Sequence, residues 1–158
     1  KENGVELLAD VRTVPGSRHN PQYAQAALAA SVEEAGISYR HLKGLGGLRG
    51  KAKESQSLGW RNASFRNFAD YMQTPAFEEA LRELQALAGK QMTALMCAEA
   101  VPWRCHRSLI ADVLTARGAN VIDIMAPGKT APHRMTPFAK VEGGRVTYPK
   151  QEDDGPKD

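Results

Sequence analysis

The residues best suited to chemistry lie in one short segment, CAEAVPWRCHR, which runs from Cys97 to Arg107. It holds two thiols, and a cysteine becomes a nucleophile or a metal ligand when it is ionised. A charged His106 or Arg107 beside a thiol lowers its pKa, which favours ionisation. We therefore take Cys97, Glu99, Cys105 and His106 as the candidate catalytic residues.

The same segment is suited to binding an anion. Cys105, His106 and Arg107 are expected in the first turn of a helix, where unpaired backbone N–H groups and the helix dipole attract negative charge. An arginine there can hold a phosphate, a sulfate or a carboxylate through two hydrogen bonds. Arg107 and Ser108 are therefore candidate anion-binding residues.

A second polar cluster follows the first apolar run of the chain. Arg12, Ser17 and Arg18 are its candidate anion-binding residues, and Asp10 is a supporting residue, since a half-buried arginine needs a carboxylate partner. The loops that follow parallel strands lie at one edge of a sheet. This cluster and the Cys97–Arg107 segment are therefore expected to enclose one polar pocket.

Other interpretations of the cysteines stay open. Either thiol can be an inert core residue, and burial of Cys105 under Trp103 would raise its pKa. Otherwise Cys105 is expected to be the more ionised thiol and Cys97 the more buried one. Cys97, Cys105 and His106 could also ligate zinc, although Cys-x7-Cys-His is not a standard zinc spacing. The sequence predicts no metal and no cofactor.

Apolar runs alternate with helical patterns, which predicts an α/β fold: a mainly parallel sheet with helices on both faces, as in a Rossmann-like three-layer sandwich, with a small C-terminal hairpin. Strands are expected at Val5–Val11, Ile37–Leu42, Met92–Met96 and Val121–Met125, and the hairpin at Ala139–Tyr148 around Gly143 and Gly144. Helices are expected at Pro21–Ala35 with Asn20 as cap, after Ser64 as cap, at Pro75–Gly89 after Thr74, and at Pro102–Arg117.

Length and composition narrow the class of protein. The 158 residues predict one domain over 1–149, with 150–158 as a disordered tail. No apolar run approaches the length of a membrane span, so no membrane partner is expected. Two cysteines are too few for a disulfide framework, which indicates a cytoplasmic location. The net charge of +3 slightly favours an anionic small molecule or nucleotide, with nucleic acid as an open alternative.

The sequence also resembles a known family. The blocks LLADVRTVPGSRHNPQY, YRHLKGLGGLR, GWRNASFRNFADYM, ALMCAEAVPWRCHRSLIADVL and HRMTPFAKVEGGRVTYP resemble the bacterial domain of unknown function 488 family from Val5 to Pro149. The resemblance implies an α/β fold and marks the Asp10–Arg18 and Cys97–Arg107 blocks as the family signature. It implies no activity. Members usually begin with an earlier strand that reads like Thr-Ile-Gly-His-Ser. We expect either that the sequence is a truncated form without this strand or that this member lacks a piece of the site.

Three hypotheses on function follow. The first is an enzyme that uses Cys97 or Cys105 as a thiolate nucleophile or a redox thiol on a phosphate- or nucleotide-like substrate held by Arg107 and Arg12. The second is a non-catalytic domain that binds phosphate or nucleic acid. The third is a metal site at Cys97, Cys105 and His106. The sequence alone leaves open whether the protein is an enzyme.

Overall fold

The structure, a computed structural model, describes residues 1–16, 20–99 and 104–151. Within these residues the chain forms seven β-strands and four α-helices. The strands are β1 Leu7–Asp10, β2 Ser38–His41, β3 Thr93–Met96, β4 Ile122–Ala126, β5 Lys129–Pro132, β6 Lys140–Glu142 and β7 Arg145–Thr147. The helices are α1 Gln25–Glu34, α2 Ala63–Tyr71, α3 Pro75–Ala88 and α4 Arg107–Ala116.

The chain divides into two compact units. The first comprises Lys1–Leu48 and Gln73–Ala100, and it contains β1 to β3 with α1 and α3. The second comprises Arg49–Met72 and Val101–Asp158, and it contains α2, α4 and the strands β4 to β7. No helix in the described ranges combines the length and the apolar character that a membrane crossing requires.

The first unit is built on a parallel sheet of three strands in the order β2-β1-β3. Asp10, at the end of the central strand, is in register with His41 on one side and with Met96 on the other. Leu7, Ala9 and Val11 are buried. They line one face of the strand, because alternate residues of a strand point to the same side of the sheet. The prediction of an α/β fold with a mainly parallel sheet is confirmed, while helices on both faces remain a prediction.

The helix starts agree only partly with the predicted caps. Thr74 caps α3 as predicted, because its side chain accepts a hydrogen bond from the Phe77 amide at 3.3 Å. The cap of α2 is Asn62 and not Ser64, since the helix already begins at Ala63. Asn20 makes no capping hydrogen bond, because a short 3-10 turn follows it and α1 begins only at Gln25.

The predicted fourth strand exists, but its placement in the parallel sheet was wrong. β4 pairs antiparallel with β5, and Ala126 lies opposite Lys129 across a two-residue connection. Gly128 in this connection has a positive φ of 73°, which allows the tight reversal. So short a connection can join only antiparallel strands, because a parallel pair needs a long crossover.

The predicted terminal hairpin is confirmed. β6 and β7 pair antiparallel, with Glu142 opposite Arg145. Gly143 and Gly144 between them both have positive φ, at 57° and 78°. Two consecutive residues in this conformation suit the tight turn that matches the twist of a hairpin.

Aromatic side chains form part of the core of the second unit. The ring of Trp60 lies edge-to-face against Phe65 at 4.9 Å and against Phe138 at 4.8 Å, and Tyr148 lies at 5.5 Å. The Gly59 amide donates to the Tyr148 carbonyl at 2.9 Å, which joins the segment before α2 to the end of β7. This close approach leaves no room for a side chain at position 59.

Gly59→Ala is expected to lower the free energy of unfolding by about 1–3 kcal/mol, because overpacking forces the backbone apart. A Cβ there would lie 2.7 Å from the Pro149 carbonyl oxygen and 2.9 Å from that of Tyr148. Gly50→Ala is the matched control, since nothing lies within 4 Å of a Cβ at that position. Urea unfolding of both variants measures the difference, and equal stabilities would contradict the expectation.

Candidate functional site

The first predicted cluster forms around a buried ion pair in the first unit. Arg12 donates from Nε to Oδ1 of Asp10 at 2.8 Å and from a terminal nitrogen to Oδ2 at 2.6 Å. Its other terminal nitrogen donates to the Tyr23 carbonyl at 2.7 Å. The predicted pairing of Asp10 with an arginine is therefore present. Arg12 is held inside the protein, which suits a positioning role, and its binding of an anion stays a prediction.

Two side chains of β2 complete this network. The Tyr39 hydroxyl donates to Oδ2 of Asp10, and Nε2 of His41 donates to the Arg12 carbonyl at 2.7 Å. Burial acts to raise the pKa of Asp10, but the hydrogen bonds from Arg12 and Tyr39 outweigh it and leave that pKa below its ordinary value. Burial and the Asp10 charge both raise the pKa of Tyr39, so its hydroxyl stays protonated.

Cys97 and Glu99 also belong to the first unit. The Val11 amide donates to the Met96 carbonyl at 2.9 Å, so Cys97 and Arg12 follow neighbouring parallel strands at the same sheet edge, as predicted. Cys97 and Glu99 are both half-buried. Ser17 and Arg18 lie outside the described residues, and so does Trp103.

The second predicted thiol, Cys105, lies in the second unit among nitrogen donors. The Arg107 amide donates to its Sγ at 3.4 Å, and Nε of Arg107 donates at 3.3 Å. Nδ1 of His106 lies 3.5 Å from the same sulfur. The His106 ring packs edge-to-face against Phe68 with centroids 4.9 Å apart, which holds the imidazole in place. Three nitrogens around one sulfur form an environment that favours a thiolate.

The burial of the two thiols is the reverse of the prediction. Cys105 is only 4% exposed, whereas Cys97 is half-buried, and neither forms a disulfide. Cys105 was expected in the first turn of a helix that begins at Pro102, but α4 begins at Arg107. Its sulfur therefore precedes the helix and accepts from the first helical amide, as a capping oxygen does.

The prediction of unpaired backbone N–H groups at this helix start was also wrong for residues 107 to 110. The Arg107 amide donates to sulfur, and the Ser108 amide donates to the Cys105 carbonyl at 3.0 Å. The amides of Leu109 and Ile110 donate to the His106 carbonyl. The Ser108 hydroxyl donates to the Cys105 carbonyl at 2.9 Å. The loop before α4 satisfies these donors itself, so an anion here would depend on the Arg107 side chain.

Sequence reasoning missed a third polar group, which lies around Asp112 in the second unit. This carboxylate is fully buried and accepts four hydrogen bonds. Nε2 of His133 donates at 2.8 Å, the Thr136 amide at 3.1 Å, the Thr136 hydroxyl at 2.6 Å and the Tyr148 hydroxyl at 2.7 Å. Nδ1 of His133 faces Asp123 at 3.2 Å. The imidazole thus lies between two carboxylates, an arrangement that suits the doubly protonated ring.

The charges around His133 shift its titration. The hydrogen bond to Asp112 raises the pKa of His133 above its ordinary value of 6.5, burial opposes this, and Asp123 adds to the rise. Burial and the Asp112 charge likewise raise the pKa of Tyr148, which keeps its hydroxyl as a donor. Asp112 therefore links α4 to the segment after β5 and to the residue after β7.

This shift predicts a pH dependence of stability. A group whose pKa is raised by folding stabilises the protein fully below its unfolded pKa, here about 6.5, and loses that effect as the pH rises through the folded pKa. We expect the free energy of unfolding to fall above pH 6.5, by at most about 1.4 kcal/mol per pH unit from this one proton. Urea unfolding at a series of pH values measures it, with His133→Gln as the comparison.

The titration of His133 can also be followed directly, in a measurement that does not depend on how well His133→Gln folds. The His133 Cε1 resonance in the unaltered protein should titrate above pH 6.5. A midpoint at or below 6.5 would contradict the assignment of His133 as an imidazolium between two carboxylates.

Comparison with known proteins agrees with this description. The parallel sheet and its helices make the chain an α/β protein. The family profile described as "Domain of unknown function DUF488" matches residues 1–114, and the chain belongs to this family. The match includes the Asp10–Arg12 pair, both cysteines and Asp112, and it ends before His133. No curated protein and no solved structure was found to match the chain.

Proposed function

We propose that the protein is a thiol-dependent enzyme acting on a phosphate-bearing or nucleotide-like substrate, with Cys105 as its nucleophile. The observation that carries the proposal is the convergence of three nitrogens on one sulfur. Arg107 donates to Sγ of Cys105 from its amide and from Nε at 3.4 and 3.3 Å, and Nδ1 of His106 lies at 3.5 Å.

Several contributions favour ionisation of this sulfur, and its burial opposes ionisation. A hydrogen bond to a charged group is worth about 1.5–3 kcal/mol, so two donors from Arg107 supply about 3–6 kcal/mol. The cost of burying a charged group is several kcal/mol. The positive charge of the guanidinium and the N-terminal end of α4 act in the same direction as the hydrogen bonds. These contributions all oppose the burial cost of the thiolate.

The roles of the side chains follow from this arrangement. The thiolate forms a bond to an electrophilic atom of the substrate, and the leaving group departs with its bonding electrons. His106 is placed to take the thiol proton and to return it to the leaving group. A guanidinium has five N–H donors, so Arg107 can contact sulfur and the substrate phosphate together. Cys97, Glu99, Arg12, Ser17, Arg18 and Ser108 remain sequence predictions, each testable by its own variant.

One spacing favours a second candidate, a metal site that includes Cys105 and His106. A tetrahedral zinc ion holds a sulfur ligand and an imidazole nitrogen about 3.6 Å apart. Sγ of Cys105 and Nδ1 of His106 are 3.5 Å apart. The guanidinium on the same sulfur argues against a cation there, because like charges repel. Metal analysis of the purified protein separates the two candidates, since the metal site requires a stoichiometric ion.

Arg107→Ala is expected to weaken the binding of inorganic phosphate at least tenfold. The first amides of α4 donate within the protein, so the anion depends on the guanidinium. A phosphate titration followed by amide and arginine Nε resonances measures the affinity and its location. We expect the largest shifts at residues 105 to 108.

The matched control is Arg61→Ala, an exposed arginine of the same unit. It should leave the phosphate affinity unchanged. Shifts that map to Lys51 and Lys53 would instead show diffuse surface electrostatics, and an affinity that survives Arg107→Ala would contradict the proposed anion site.

A further inference from the structure

A cavity of about 600 Å³ lies in the second unit, next to the Asp112 network. Apolar walls are contributed by Trp60, Met125 and Phe138, and polar groups by Asp123 and His133. Its volume falls in the range of sites that bind small molecules, and such sites combine apolar walls with a few placed polar groups. The thiol chemistry proposed above does not use these side chains.

The aromatic wall of the cavity is fixed in place. Trp60 packs edge-to-face against both Phe65 and Phe138, at 4.9 and 4.8 Å. The close approach of Gly59 to the Tyr148 carbonyl fixes the backbone beside Trp60. Fixed aromatic faces with a methionine beside them suit a flat aromatic group, which stacks on such rings without much loss of side-chain freedom.

The polar side of the cavity specifies a hydrogen-bond donor. The Asp123 side chain is 19% exposed, and Nδ1 of His133 holds one of its oxygens at 3.2 Å. An ionised carboxylate only accepts, so a ligand must present N–H or O–H to it. Because Nδ1 of His133 already holds one oxygen of Asp123, the N–H of a ligand meets the remaining acceptor positions of that carboxylate.

The cavity also reaches the start of α4, because Ser108 is among its lining residues. Ser108 lies next to Arg107, and its hydroxyl donates to the carbonyl of Cys105. A ligand in the cavity therefore lies against Ser108, the residue that directly follows Arg107, which is proposed to hold the phosphate.

We infer that this cavity binds the base of a nucleotide, that the base carries an exocyclic amino group facing Asp123, and that the phosphate lies at Arg107. Placing the phosphate rests on the proposed function, whereas placing the base rests on the cavity alone. The inference thus narrows the substrate class from phosphate-bearing compounds to nucleotides with adenine, guanine or cytosine.

The base is tested with nucleosides, which have no phosphate. Adenosine, guanosine and cytidine are each paired with an analogue that lacks the amino group: purine riboside, inosine and the riboside of 2-pyrimidinone. Calorimetry of the full chain should show at least one amino-bearing nucleoside binding tenfold or more tightly than its partner. Asp123→Ala should remove that preference, because it removes the acceptor, and amide shifts should map to residues around Asp123 and His133.

A matched pair of variants tests the apolar wall. Met125 is 40% exposed and lines the cavity, and Val141 is 45% exposed outside its lining. Met125→Glu should weaken nucleoside binding at least tenfold, while Val141→Glu should not change it. Binding of no amino-bearing nucleoside, or equal binding by both variants, would overturn the inference and leave the proposed thiol chemistry standing.

A nucleoside monophosphate separates the two proposals. It should bind more tightly than its nucleoside, and Arg107→Ala should remove this gain without affecting the nucleoside. Equal affinity of nucleotide and nucleoside in the unaltered protein would overturn the phosphate site of the proposed function and leave the base site supported.

Discussion

Replacing Asp112 with alanine is expected to lower the free energy of unfolding by about 3–5 kcal/mol, as is typical when one partner of a buried charged pair is removed. The change leaves the Thr136 amide and hydroxyl and the Tyr148 hydroxyl without their acceptor. It also leaves the His133 imidazolium with Asp123 as its remaining carboxylate. Each buried donor left unsatisfied costs about 1–3 kcal/mol, so the effect is large even after partial relaxation.

Urea unfolding measures this effect, and an exposed acid serves as the control. Glu142 pairs with Lys140 at 3.2 Å, but both side chains are exposed. Glu142→Ala should therefore change stability by no more than about 0.5 kcal/mol. The loss of stability for Asp112→Asn should lie between those of Asp112→Ala and Glu142→Ala. The amide oxygen of asparagine still accepts a hydrogen bond, but its NH₂ group faces donors and gains no partner. A loss below about 1 kcal/mol for Asp112→Ala would contradict the central role of Asp112 in the second unit.

Local signals in the sequence were sufficient for much of the fold. Apolar runs identified β1, β2 and β3, and Thr74 followed by Pro75 identified the start of α3. Gly143 and Gly144 identified the terminal hairpin. These features depend on residues within a few positions of one another. The Asp10–Arg12 pair was predictable for the same reason, because its members are two positions apart.

Features set by distant parts of the chain were not predictable. Apolar periodicity identified β4 but could not say that β5 is its partner. Asp112 binds side chains that are 21, 24 and 36 positions away, so no spacing motif marks the network. The available signal was Asp112 itself, a single carboxylate within the apolar run LIADVL.

The two cysteines also combine local features that the sequence predicts with features that depend on distant parts of the chain. Their presence within one polar segment was visible in the sequence, and Arg107 was placed correctly as a partner of Cys105. Their burial was not visible, since it depends on packing from several elements. Phe68, for example, packs against His106 from a helix that begins more than forty positions earlier.

The second large effect is expected at the thiols. Cys105→Ser should lower the iodoacetamide labelling rate at pH 6.5 several-fold relative to Cys97→Ser. An ordinary thiol with a pKa near 8.5 is only about 1% ionised at that pH, and the thiolate is the species that reacts. The nitrogens of Arg107 and His106 around Cys105 favour its thiolate. Burial slows access of the reagent, so the pH dependence of labelling is more informative than its absolute rate.

The most direct test of the account is therefore the second-order labelling rate of the two single-cysteine variants between pH 5 and 9. Cys97→Ser, which retains Cys105, should label with a midpoint below about pH 7.5, and Cys105→Ser should titrate near 8.5. If neither variant labels below pH 8, thiolate catalysis is rejected. The protein would then be a non-catalytic anion-binding domain, in which Arg107→Ala and no cysteine change abolishes function.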